Sequence, residues 1–91
     1  MQLTVTPSFM NDMRQILRQS SCLGNLYKVI ENLADYPQDA TLHSYKIKSK
    51  HANIWSCAVF YDVRILFKYI RLEDGKRGIL LLRFKNHEKI Y

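Results

Sequence analysis

Ninety-one residues leave room for one hydrophobic core and no second domain, so residues 1–91 read as a single domain whose chemistry sits on an open surface rather than in an enclosed cofactor pocket. A composition of 47% hydrophobic and 24% charged residues with only 3 Gly and 2 Pro excludes a disordered or fibrous chain. The net charge of +6 is lopsided, with three bases and four acids in residues 1–45 against eleven bases and four acids in residues 46–91; such a field suits phosphate backbones, acidic proteins or acidic membranes.

In chain order, Gln2–Val5 alternates and is rich in β-formers, which predicts a short first strand. Thr6-Pro7 supplies a helix cap followed by proline at the first helical position, and Phe9, Met13, Ile16 and Leu17 repeat at helical spacing. A second helix carries Leu23, Leu26, Ile30 and Leu33 on one face and must stop near Tyr36, because Pro37 lacks an amide donor and disfavours a helical residue before it. Gln38–Thr41 reads as a polar linker. Four strands are then expected, at His43–Ser49, Ile54–Phe60, Val63–Ile70 and Gly78–Lys85. Tyr61-Asp62 and Glu73-Asp74-Gly75 mark the turns, the latter because glycine tolerates positive φ. The order β-α-α-β-β-β predicts an α+β fold with two N-terminal helices packed on one face of a small antiparallel sheet.

No apolar run approaches the ~20 residues needed to cross a bilayer, and the N-terminus has neither the basic nor the apolar region of a secretory signal, so a cytoplasmic protein with no membrane association is expected. Cys22 and Cys57 fit neither a metal pair nor a disulfide framework and read as small buried hydrophobes. His43 and His51 have no carboxylate or cysteine at metal-ligand spacing and read as surface residues. No metal or other cofactor is expected.

Strand parity predicts which side chains share the face away from the helices. Ile65, Phe67 and Tyr69 are the apolar parity of their strand, which leaves Arg64 and Lys68 on the other side. Leu80, Leu82 and Phe84 are expected in the core and Arg83 and Lys85 opposite; Tyr45 and Ile47 oppose Lys46 and Lys48. Six bases then converge on one face, with His87 and Tyr91 beyond its edge.

Such a face suits single-stranded nucleic acid, since bases neutralise phosphates and an aromatic ring stacks a nucleobase. Cleavage there needs a base to deprotonate the RNA 2′-hydroxyl, an acid for the 5′-oxygen leaving group, and cations for the developing phosphorane charge. His87 suits the first two tasks because the intrinsic pKa of an imidazole lies near neutrality, and Arg64 has a planar guanidinium able to hold two phosphate oxygens. The plainer readings are a solvated terminal histidine, lysines on the wet side of a strand, and an Arg64 paired with Asp62 across a turn. Trp55 and Phe60 read as core or rim, although an exposed Trp55 could stack a base.

The segment YKIKSKHANIWSCAVFYDVRILFKYI and the ending ILLLRFKNHEKIY together resemble the toxins of the RelE/ParE superfamily, in particular the RelE-like and YafQ-like messenger-RNA interferases. In these a basic strand, a "W-x-C-x-V-x-Y-D-x-R-I-x-F" hairpin and a terminal "H-x-x-x-Y/F" recur. The resemblance implies the toxin of a type II toxin-antitoxin pair, an endoribonuclease that cuts mRNA at the ribosome without a metal and is silenced by an acidic cognate antitoxin. It implies that His87, Arg64 and Tyr91 are catalytic and that Lys46, Lys48, Lys68, Arg83 and Lys85 hold RNA, with Asp62 and Tyr45 in support. The chain departs from the pattern in three places. Tyr45 stands where many relatives have histidine, Ser49 replaces a glycine, and LLRFKNH puts Arg83 and Lys85 where an acid and a glycine are common. A ParE-like inhibitor of gyrase and a catalytically silent RNA- or antitoxin-binding relative are the alternatives.

Overall fold

A computed structural model describes residues 1–19, 23–47, 53–60 and 63–86. Strand β1 (Gln2–Val5), helices α1 (Pro7–Gln19) and α2 (Leu23–Asp35), a 3₁₀ turn (Ala40–Leu42), and strands β2 (Tyr45–Lys46), β3 (Trp55–Phe60), β4 (Val63–Arg71) and β5 (Arg77–Asn86) follow in that order. The expected α+β architecture is present. The strands form one sheet in the order β1-β5-β4-β3-β2, an antiparallel meander from β2 to β5 with β1 added parallel to β5 at the margin. That parallel pairing was not legible in the sequence, because two helices separate β1 from its partner.

Thr6 explains where β1 stops and α1 begins. Its Oγ1 accepts the Phe9 amide at 3.2 Å, the expected cap, and lies 2.9 and 3.1 Å from the Leu81 and Leu82 carbonyls, so the hydroxyl ties the helix start to β5. Two successive carbonyls meet one hydroxyl because β5 is bulged there. Leu66 opposes Arg83 and Phe67 opposes Leu81, which leaves Leu82 as the extra residue.

The bulge corrects the predicted parity of β5. Ile79 and Leu81 are buried, not Leu80 and Leu82; Phe84 is buried as expected. These residues join Ile65 and Phe67 of β4, Cys57 of β3, Phe9 of α1, and Leu26 and Leu33 of α2 in one core between helices and sheet, where the Phe9 and Phe84 rings stand 5.8 Å apart. Each such aromatic or aliphatic side chain contributes about 1.5–3 kcal/mol by leaving water. A second register shift lies between Ala58 and Phe60, ahead of Tyr61-Asp62, a pair that lies outside the described residues. Gly75 adopts φ 83° in the β4–β5 turn, as the Glu73-Asp74-Gly75 signal requires.

Candidate nucleic-acid interface

Antiparallel partners share a face, so the register sorts the predicted site residues without ambiguity. Arg64 stands opposite both Ala58 and Lys85, and Leu66 opposite both Ser56 and Arg83. Lys68, four residues after Arg64 on β4, has the same parity. Tyr45 pairs with Ser56 and therefore lies on this face too, whereas Lys46 pairs with Trp55 and lies on the opposite one. The parity predicted for β2 is thus reversed: Tyr45, not Lys46, accompanies Arg64. Alternation fixes relative facing within a strand but not which side meets the core, and two described residues with one partly buried aromatic gave too little apolar signal to decide it. Lys48, Asp62, His87 and Tyr91 lie outside the described residues.

Arg64 is not the free clamp that the sequence suggested. It is only 9% exposed, and its Nε donates to Ser56 Oγ at 2.5 Å. Nη2 donates to the His43 carbonyl at 2.8 Å and to the Ser56 carbonyl at 3.3 Å. Its guanidinium carbon also sits 4.7 Å from the centre of the Tyr45 ring. Ser56 is fully buried beneath it. The His43 carbonyl is presented by a left-handed residue, φ 47°, that ends the 3₁₀ turn. Three N–H groups are therefore spent on the protein, and the two of Nη1 donate to no described residue. The result is a fixed positive charge just under the surface.

Arg83 is also engaged. Past Leu81 the β5 edge has no strand partner, and Asp12 of α1 fills the gap. Its Oδ2 accepts from Arg83 Nε at 2.7 Å and from the Phe84 amide at 3.1 Å, and its Oδ1 from Arg83 Nη2 at 3.1 Å. Lys85 Nζ is 3.8 Å away. Burial pushes the Asp12 carboxyl up, but the hydrogen bonds from Arg83 and Phe84 and the charges of Arg83 and Lys85 outweigh it and hold the group below its usual value. Arg83 and Lys85 keep the expected face, yet the carboxylate cancels one of their two charges.

Sequence reasoning missed Ser56 and Asp12. Asp12 did leave a signal: it falls three residues after Phe9, on the apolar stripe of α1, and a carboxylate there must be paired. Ser56 left none, since a serine between Trp55 and Cys57 has the ordinary outward parity of a strand. Cys57 fits the inert reading, because burial pushes its thiol up to about 12. Among the described residues, no group of three or more His, Cys, Asp or Glu side chains is placed to hold a metal ion, and no helix is long and apolar enough to cross a membrane.

No family model matches the sequence, and neither does any curated protein. Solved structures do match along nearly the whole chain. A copper-bound mutant toxin from Helicobacter pylori is 24% identical with a TM-score of 0.76, covering 99% of this chain and 98% of its own. The YoeB/ParE toxin from Agrobacterium tumefaciens is 17% identical, TM-score 0.76, covering 96% and 99%. The fold is that of the RelE/ParE-type toxins. Escherichia coli YafQ, solved in complex with DinJ, shares it at 15% identity and a TM-score of 0.74, over 98% of this chain and 96% of the other. The five-stranded sheet and helix pair are therefore a toxin-type scaffold, and the particular side chains on it must be argued from this chain alone.

Proposed function

We propose that this protein is the toxin of a toxin-antitoxin pair and a metal-independent endoribonuclease, cutting mRNA in the cytoplasm, in association with the ribosome. The observation that carries the reading is the end of the sheet. Arg64 and Lys85 stand opposite each other on one face, Lys68 shares it, and the chain continues from Asn86 directly into His87. An RNA strand laid across this face would meet a buried guanidinium and half-buried ammonium groups, on the strand that His87 follows in sequence.

In the proposed reaction the 2′-oxygen forms a bond to the adjacent phosphorus while the bond from phosphorus to the 5′-oxygen breaks, giving a 2′,3′-cyclic phosphate and a free 5′-hydroxyl. His87 moves a proton as acid or base, Tyr91 stacks a nucleobase or assists it, and Arg64 opposes the charge developing on the phosphorane through Nη1 and its fixed field. Lys48, Lys68, Arg83 and Lys85 position the backbone, Arg83 by exchanging the Asp12 carboxylate for a phosphate. Tyr45 supports Arg64 by stacking, and Asp62 adds an acid near the hairpin. The proposed antitoxin is an acidic chain covering the basic half, and the DinJ–YafQ pair is the precedent for such a partner on this scaffold.

Primer extension on cellular transcripts after induction tests the reading. New 5′-ends are expected with the wild type and none with His87→Ala, which should restore growth while still binding the antitoxin. Undiminished cutting by that variant would remove His87 from the chemistry. A binding-only relative is the second reading, favoured by the two guanidiniums already held within the protein. It predicts single-strand binding with a log–log salt slope near about −3 for four phosphates and no cleavage.

A further inference from the structure

On the helix side of the sheet, past the end of α2, lies a cleft of about 600 Å³, within the ~300–1,000 Å³ typical of small-ligand sites. Trp55 and Tyr69 line it together with Ser44, Lys46 and Arg77. The two rings meet edge to face at 6.1 Å, and the Arg77 guanidinium lies 4.5 Å from the Tyr69 ring centre. Lys46 and Arg77 are exposed at the rim, and Asp39, the one acid among the lining residues, spends Oδ1 on the Thr41 amide and hydroxyl. The Ser44 hydroxyl is a buried polar atom with no hydrogen-bond partner among the described residues, a cost that a ligand's donor or acceptor would remove.

We propose that this cleft is a second nucleotide subsite, taking one base and its phosphate from a single-stranded RNA that passes from the cleavage face around the β2 edge. The inference rests on the RNA-cleaving reading for its substrate, but the cleft itself stands on its own geometry. Strand β2 is the outermost strand, and its two residues point to opposite faces, Tyr45 beside Arg64 and Lys46 into the cleft. Two residues adjacent in sequence, Tyr45 and Lys46, therefore belong one to each surface. Aromatic walls accept a base of any identity, two cations hold a phosphate, and the Ser44 hydroxyl can donate or accept at a base edge or ribose. An acidic peptide would answer the charge but not the paired rings.

Trp55 is the only tryptophan, so intrinsic fluorescence reports on this cleft. A 5′-phosphorylated deoxytrinucleotide, which has no 2′-hydroxyl and is not cut, is expected to change that fluorescence saturably. Arg77→Ala and Lys46→Ala should each weaken the response about tenfold, while Arg14→Ala, which removes the same charge from the exposed side of α1, leaves it unaltered. No fluorescence change, an equal loss with Arg14→Ala, or a tighter response to a glutamate-rich peptide would overturn the subsite. If transcripts stay intact in cells while the oligonucleotide still titrates Trp55, the cleavage reading fails and the subsite survives.

Discussion

Where β1 leaves the β5 margin of the sheet, α1 takes over: Thr6 meets the Leu81 and Leu82 carbonyls, and Asp12 meets the Phe84 amide and Arg83. At the opposite margin a two-residue strand borders an open cleft where the Ser44 hydroxyl has no partner among the described residues. The first margin spends its polar groups on holding the fold together, and the second leaves groups over for something else. The contrast also separates the two arginines of the basic face. Arg83 has its fork filled by a carboxylate at the sheet margin, whereas Arg64 is fastened to a buried serine and two backbone carbonyls and can act only from where it sits.

The contrast breaks most sharply in the core that the β5 margin protects. Phe84→Ala, which empties the position facing Phe9, should cost about 3–5 kcal/mol in urea unfolding, and a loss below ~1 kcal/mol would mean that α1 is not anchored as described. Asp12→Ala should cost less, about 1–3 kcal/mol, by orphaning the Phe84 amide at a nearly closed site.

The same carboxylate sets an acid limit. Because its folded pKa is depressed, its contribution is complete above the unfolded value of ~3.9 and is lost as pH falls through the lower folded one. Urea midpoints of the wild type should therefore drop below about pH 4 more steeply than those of Asp12→Asn. Parallel pH profiles would show that the ion pair has no linkage to folding.

Ser56→Ala should cost ~1–2 kcal/mol by leaving Arg64 Nε without its acceptor; as a sharper readout, it should also lower RNA cleavage through a freed guanidinium while leaving the Trp55 titration intact. Smallest of all, Lys46→Ala at the open margin should change stability by no more than ~0.5 kcal/mol. A larger loss would make the β2 margin structural after all.

Composition and local pattern carried a good deal of this. The lopsided charge put the positive field in the second half, Thr6-Pro7 and Pro37 bounded the helices, Gly75 marked the turn, and the alternation Ile65, Phe67, Tyr69 put Arg64 and Lys68 on one face. These features are legible because each depends on residues within a few positions of one another. The single extra residue at Leu82 was not, because a bulge is defined by the partner strand, and on its N-terminal side Ile79 and Leu81 take the face that alternation from Phe84 denies them.

For the same reason β2 was read with the wrong side outward. Its facing is set by pairing with Trp55 and Ser56, not by anything within Tyr45 and Lys46. Asp12 and Arg83, 71 residues apart, became a pair only when α1 crossed the uncovered end of β5. The sequence by itself determined the elements, their order and the sign of the surface. Tertiary structure alone decided which cations remain available to a ligand, since availability depends on partners that the chain brings in from a distance.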